Sequence, residues 1–336
     1  MTPTNRWYVA ARSDQLGRQP LSRTVLGRPI VLYRPAADRV AVLEDRCPHK
    51  NVALSIGAVV GETLQCRYHG WRFDPAGACV EVPCHSPDER RPQCGIRAYP
   101  VVEQDGWIWV DLAEAGTPFA PPPRYPRDPR YGWFELHNVM DAPLDLILEN
   151  GMDCSHTGFA HRGLFRSEPT RYATARIEET ATGVRVETTE PPGETTRDVR
   201  SLLGLKREVR HVDELILPHT LRVDYWMGNL AHIVTILICT PEDDRHTRVY
   251  TRMGVYYRWV TGLMTRVVER VTRKVVAQDK AILESQAETI RRFGGRSFRA
   301  VVADQPATWI QRAIRRHPEG REPSETLRRR EVVYKL

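Results

Sequence analysis

Four residues in two short stretches could share one metal cluster. Cys47-Pro-His49 and Cys66-Arg-Tyr-His69 each offer one thiolate and one imidazole. A zinc finger keeps its cysteines together and its histidines together, with about three to five residues between the histidines. Here the donor types are mixed within each stretch. That suits a two-iron cluster in which one iron takes both cysteines and the other takes both histidines. Pro48 and Gly70 allow sharp turns beside such a cluster, and Tyr68 and Trp71 could shield it from water. Exchanging two thiolates for neutral imidazoles removes negative charge and raises the reduction potential, so the expected work is carrying one electron at a time. A structural zinc site and an unconnected set of Cys and His residues are the plainer readings. Cys79, Cys84, Cys94, Cys154 and Cys239 fall in no ligand pattern and read as small apolar residues.

A second set lies farther along. The segment from Asp141, an N-cap candidate with Pro143 in the first turn, reads as helix to about Gly158. Asn150, Asp153 and His156 are spaced by three and would share one face of that helix. His161 stands about 140° from His156 on a continuous helix, and Gly158 can end the helix and swing His161 back. A third donor comes from a long helix expected from about Val260 to Ile290. Leu263, Val267, Val271, Val275, Ile282, Gln286 and Ile290 mark one stripe, and Asp279 sits on it. An ionised carboxylate facing a core is costly unless it is paired or bound to metal. Two histidines and one carboxylate form the facial triad of non-haem Fe(II) oxygenases, which leaves positions open for O2. Taken singly, the histidines read more often as satisfied polar residues near a helix end, and Asp279 as a salt-bridge partner of Arg273, Lys274 or Lys280. Asn150 reads either as a neighbour of the iron ligands or as a plain helix residue.

Cys47-Pro-His-Lys-Asn, Cys66-Arg-Tyr-His-Gly-Trp and the continuation Arg72-Phe-Asp-Pro-Ala-Gly resemble the cluster loops of Rieske non-haem iron oxygenases. Asp153-x2-His156-x4-His161 is similar to that family's mononuclear-iron motif. Gln278-Asp279-Lys-Ala-Ile-Leu-Glu-Ser-Gln286 is similar to the later segment that supplies its carboxylate ligand, with Gln278 where the family usually has Glu. The likeness runs from about Trp7 to Gln286. It implies an α+β chain: an all-β Rieske [2Fe–2S] domain, then a helix-grip catalytic domain in which a curved antiparallel sheet holds a long helix. By the same resemblance, Cys47, His49, Cys66 and His69 hold the cluster, and His156, His161 and Asp279 hold Fe(II). Asp153 would bridge His69 and His156 across the interface of a head-to-tail homotrimer.

The function implied is that of an oxygenase component. It would use O2 and NAD(P)H-derived electrons to hydroxylate or oxidatively demethylate a small organic substrate. The chain has no GxGxxG fingerprint and no flavin motif, so a separate reductase or ferredoxin is the expected electron donor. The length resembles the compact monooxygenase branch more than a ring cis-dihydroxylating subunit. A Rieske electron carrier, or a zinc-stabilised binding protein, is the alternative from another class. Pocket walls are expected from the second-domain sheet and the region around Leu202 to Leu205. Arg248, Tyr250 and Arg252 should share one strand face, and Arg248 is a weak candidate for an anionic substrate group.

The elements that must position these residues are legible in outline. Arg28 to Tyr33, Val40 to Glu44 and Trp107 to Leu112 read as strands, the last entered through the turn pair Asp105-Gly106. Six prolines between Gly116 and Pro129 read as a semi-rigid linker. Domains are therefore expected at 1–117 and 118–336. In the second, Arg171 to Glu190 and His211 to Tyr257 read as successive strands. Hydrophobic residues at 41% and charged residues at 27% exclude a disordered or fibrous chain. The net charge of +7 is the excess of 49 basic over 42 acidic residues, and the basic ones, 44 Arg and 5 Lys, are spread along the sequence, which gives no nucleic-acid footprint. No apolar run approaches the ~20 residues of a membrane span. The first residues lack the apolar stretch of a secretory signal. A cytoplasmic chain is expected, in which seven cysteines point to metal or catalytic duty before disulfides.

Overall fold

Apolar side chains at every position of Ile30-Val-Leu-Tyr33 mark a strand covered on both faces, and all four are fully buried. The computed structural model describes residues 7–84, 86, 94–112, 121–162, 164, 172–190, 209–316 and 328–335. Two compact units emerge, Thr4–Pro126 with Thr240–Asp244, and Arg127–Cys239 with Arg245–Leu336. The boundary expected at 117/118 lies outside the described residues.

The first unit is built of short strands: β1 (Trp7–Arg12), β2 (Leu21–Val25), β3 (Arg28–Ala36), β4 (Arg39–Glu44), β5 (Ala58–Val60), β6 (Thr63–Gln65), β7 (Arg72–Phe73), β8 (Cys79–Glu81), β9 (Ala98–Tyr99), β10 (Val101–Gln104) and β11 (Trp107–Asp111). They form three sheets in the orders β1-β11-β10, β2-β3-β4-β9 and β5-β6-β7-β8. Strand β3 serves two cores. Ile30 and Leu32 pack with Tyr8, Ile108 and Val110, while Val31 and Tyr33 pack with Leu64, Phe73, Cys47 and Cys66. The hairpin β10–β11 turns through Asp105 and Gly106, both at positive φ, as a two-residue turn requires.

The second unit centres on one antiparallel sheet: β12 (Gly132–Met140), β13 (Tyr172–Glu179), β14 (Gly183–Glu190), β15 (Val209–Ile216), β16 (Thr220–Met227), β17 (Ala231–Pro241), β18 (Thr247–Tyr257) and β19 (Arg329–Lys335). Its order is β12-β18-β17-β16-β15-β14-β13-β19. Period-2 alternation sets the faces. Ala173, Ala175, Ile177, Val184, Val186 and Leu215 point into the core, and Arg185, Glu187 and Arg210 form ion pairs on the other face.

Among the described residues four helices accompany the sheet: α1 (Leu144–Met152), α2 (Thr157–Ala160), α3 (Thr261–Arg292) and α4 (Gln305–Arg316). Leu146, Ile147 and Leu148 of α1, Leu283 and Ala287 of α3, and Trp309 and Ile310 of α4 complete the core. Near its start, α3 packs through Met264 on Phe134, Leu136 and Val255. Gly132 permits that approach, since a Cβ there would stand 2.1 Å from Thr265 Oγ1. No helix among the described residues is long and apolar enough to cross a membrane.

Two sequence expectations need correction. The apolar face of α3 is displaced by one residue. Met264, Thr272, Leu283 and Ala287 are the buried positions, while Leu263 and Ile282 are exposed. The cause is a helix with apolar residues on adjacent rows (Val267-Val268, Val275-Val276, Ile282-Leu283), where spacing alone cannot say which row faces inward. The helix expected from Asp141 to Gly158 is two helices. It starts at Leu144 after Pro143 and stops at Met152, with Asp153 extended and α2 following.

Candidate metal centres

The two stretches of the first unit are the same loop made twice. In one, the Asn51 amide donates to the Cys47 carbonyl and the Cys47 amide to the Val52 carbonyl, both at 2.8 Å. In the other, the Gly70 amide donates to the Cys66 carbonyl at 3.1 Å and the Cys66 amide to the Trp71 carbonyl at 2.8 Å. Each loop needs a left-handed residue four beyond its cysteine, and Asn51 and Gly70 supply it at φ 59° and 73°. Asn and Gly are the residues that tolerate this conformation.

The loops carry Cys47 and Cys66 inward, both buried. Burial, and then the neighbouring Cys66, push the Cys47 thiol up to about 11. Cys47 therefore stays a protonated thiol until a metal displaces the proton and holds it as a thiolate. The rings of His49 and His69 stand 4.5 Å apart, with Trp71 stacked on His49 at 4.8 Å and Tyr68 against His69 at 3.9 Å. Desolvation, then His69 and Lys50, hold His49 below the ordinary histidine range, so its ring is neutral and available to a metal. Its Nδ1 is buried with no hydrogen-bond partner. This donor set fits an iron–sulfur cluster ligated by two thiolates and two imidazoles.

In the second unit, α1 breaks where a side chain competes with the helix. Asp153 Oδ1 accepts from the Ser155 amide and hydroxyl, both at 2.6 Å, and this local turn replaces continuation of α1. Asn150, Asp153 and His156 therefore do not share one helical face. The break turns His156 and, beyond the single turn of α2, His161 towards α3. His156 Nε2 lies 3.5 Å and His161 Nε2 3.2 Å from Asp279 Oδ1, and the imidazole centroids are 5.2 Å apart. Two ligands at right angles, ~2.1 Å from one ion, would be about 3 Å apart. Asp279 Oδ1 is buried and accepts no hydrogen bond. These three side chains could hold a metal.

The electrostatics run the same way. Burial opposes a charged His156, but the flanking Asp153 and Asp279 carboxylates outweigh it and raise that ring to about 9. Burial also opposes charge on Asp279, yet His156 and His161 hold it below the usual carboxylate range. Behind the ligand atoms, His156 Nδ1 faces Asp153 Oδ2 at 3.7 Å, and His161 Nδ1 lies 3.0 Å from Gln278 Oε1. A cavity of about 830 Å³ opens beside the site, lined by Asn150, Asp153, His156, Ile282, Phe298 and Asp304 among others. Asn150 thus lies in the cavity wall, and its carbonyl accepts from the Asp153 amide at 3.2 Å.

One buried polar cluster escaped the sequence reading. Cys154 Sγ is 3.4 Å from His211 Nδ1 and 3.6 Å from Asp213 Oδ2, while His211 Nε2 is 2.8 Å from Asp213 Oδ1. All three are buried, and His211 stacks on Tyr225. Burial disfavours its charge, but Asp213, then Cys154 and Tyr225, raise His211 well above the ordinary range. The available signal was two polar residues alternating on β15 in phase with the inward Leu215. Cys154 is thus hydrogen-bonded, Cys239 sits in the core, and Cys84 is exposed. Arg248, Tyr250 and Arg252 share the β18 face opposite the core residue Val249, and Arg252 pairs with Glu135 at 2.7 Å. Leu202 to Leu205 lie outside the described residues.

Comparison with known proteins finds a family match over each part of the chain. Residues 6–100 match the Rieske [2Fe–2S] domain, and residues 140–317 match the vanillate O-demethylase oxygenase C-terminal domain. The oxygenase component of dicamba O-demethylase from Stenotrophomonas maltophilia is 40% identical over 161 residues, 47% of this chain and 47% of that protein. The iron-sulfur subunit TsaM1 of the toluene-4-sulfonate monooxygenase system of Comamonas testosteroni is 33% identical over 189 residues, 53% and 52% of the two chains. The chain thus spans about half the length of these curated relatives. Among solved structures, dicamba monooxygenase bound to dicamba shares the fold, with a TM-score of 0.79 at 24% identity, over 95% of this chain and 98% of that one.

Proposed function

The chain belongs to the Rieske oxygenases with a vanillate O-demethylase type C-terminal domain, and on that premise we propose that it is a monooxygenase component. It hydroxylates or oxidatively demethylates a small organic molecule, using O2 and NAD(P)H-derived electrons from a separate reductase or ferredoxin. The carrying observation is the convergence of His156, His161 and Asp279 in a chain that also has a Rieske domain. Cys47, His49, Cys66 and His69 would hold the cluster, and His156, His161 and Asp279 the mononuclear Fe(II). Together these groups, when bound, supply the stepwise reduction that activates O2.

The protein's own residues orient and insulate. Asp279 would give a bound iron its one anionic donor beside the imidazoles of His156 and His161, a donor set that suits O2 chemistry. Asp153 orients His156 from behind. In a head-to-tail homotrimer it would also accept from the cluster histidine of a neighbouring copy, shortening the electron path. The cavity beside Asp153 and His156 gives such a neighbour room to reach them. Asn150, in its wall, is the remaining site residue of this reading. The relatives named above act on dicamba and toluene-4-sulfonate, and a small organic substrate of that kind is the class we assign. A cytoplasmic location accords with NAD(P)H as electron source.

Reconstitution tests the proposal. Purified protein should carry about three irons per chain, show a Rieske EPR signal when reduced, and consume O2 with a ferredoxin–reductase pair, NAD(P)H and substrate. A Rieske signal without mononuclear iron, and without substrate-dependent product from any donor, would reduce it to an electron carrier.

A further inference from the structure

The two imidazoles of the candidate iron site are backed differently. His156 Nδ1 faces a carboxylate, Asp153, whereas His161 Nδ1 meets the carboxamide oxygen of Gln278 at 3.0 Å. An amide oxygen can only accept, so Nδ1 of His161 carries a proton and Nε2 is the nitrogen left for a metal. That nitrogen faces Asp279 Oδ1, 3.2 Å away. Gln278 and Asp279 are consecutive residues of α3 and hold opposite edges of the same ring.

We infer that Gln278 is a positioning residue for the iron site: it fixes His161 in its metal-binding tautomer without adding charge. The inference rests on the His156–His161–Asp279 set being a metal centre. The charge count gives it consequence. With Fe(II), two neutral imidazoles and one carboxylate, the site is left with one net positive charge. A carboxylate at 278 would cancel it and draw on the Nδ1 proton, making His161 a stronger donor. The carboxamide orients the ring and leaves the iron more electron-poor. Gln278 is itself exposed, unlike the buried His161, so replacing it leaves the core intact.

Cobalt(II) titration of protein that retains its Rieske cluster but has been stripped of mononuclear metal tests this. The readouts are affinity and the cobalt d–d spectrum. Gln278→Leu should bind cobalt at least about tenfold more weakly, as is usual when a ligand histidine loses its partner. Gln278→Asn, one methylene too short to reach, should behave like the Leu variant. Gln278→Glu should regain or exceed wild-type affinity with a shifted d–d band, and the cluster spectrum should stay unchanged throughout. Wild-type affinity in Gln278→Leu, or a Glu variant as weak as Leu, overturns the inference. His161→Ala separates the two levels. If it too binds cobalt like wild type, the metal centre itself is wrong and the role of Gln278 falls with it.

Discussion

The candidate cluster loops and the candidate iron triad are assembled by opposite means. In the first unit, each loop sets its Cys and His within four residues, and short backbone hydrogen bonds close both loops in the same way. In the second, His161 and the Gln278-Asp279 pair are 117 residues apart or more and meet only because α3 packs along the sheet. One site is a property of local turns, the other of tertiary packing. Ligand loss should therefore abolish the first outright, whereas the second should also respond to substitutions that touch no ligand.

The largest effect belongs to the local site. Cys66→Ala should remove the visible absorbance and EPR signal of the cluster, and with them all NAD(P)H-coupled turnover. It should leave cobalt affinity at the iron triad within a factor of about two, since Cys66 and α3 belong to different compact units. A normal Rieske EPR signal in this variant would strike Cys66 from the ligands. Next comes the link between the sites. Asp153→Asn replaces an acceptor oxygen with a donor amide. Both metals should load, while oxidation of the pre-reduced cluster in a single turnover slows by orders of magnitude. A wild-type rate in the fully loaded variant would leave Asp153 with only its turn-forming bonds to Ser155.

The non-local site should yield to packing. Leu283 is 2% exposed and joins α3 to the core. Leu283→Ala should cost about 2–5 kcal/mol of stability by denaturant titration. It should weaken metal binding at the triad while the Rieske spectrum holds, and equal losses at both centres would deny the contrast. The smallest effect is graded by pH. In metal-free protein His156 stays protonated until about 9, and a metal must displace that proton. Cobalt affinity at the triad should therefore climb by up to about tenfold per pH unit towards pH 9 and level off above it. A flat profile between about pH 7 and 9 would place the titrating proton elsewhere.

This contrast also explains what the sequence made legible. The cluster loops could be read residue by residue, because ligand, turn residue and shielding aromatic all fall within a few positions. The long helix and its carboxylate were visible from periodicity, but its inward row was misplaced by one where apolar residues stand side by side. The break at Asp153 went unseen because a carboxylate that binds two residues ahead reads the same as one that continues a helix. The Cys154–His211–Asp213 cluster joins a turn after α1 to β15, and no local spacing announces such a meeting. His161 and Asp279 were each legible as candidates. Gln278, seen only as a departure from a motif, needed the fold to acquire its partner.

The most direct measurement is iron counted against cluster in Asp279→Ala. The variant should retain the Rieske EPR signal at wild-type intensity per chain, lose the mononuclear iron, and form no oxygenated product with donor, O2 and substrate. Unchanged iron-to-cluster ratio with full product formation would contradict the account, because the anionic donor of the oxygen-activating site would then lie outside the His156–His161–Asp279 convergence.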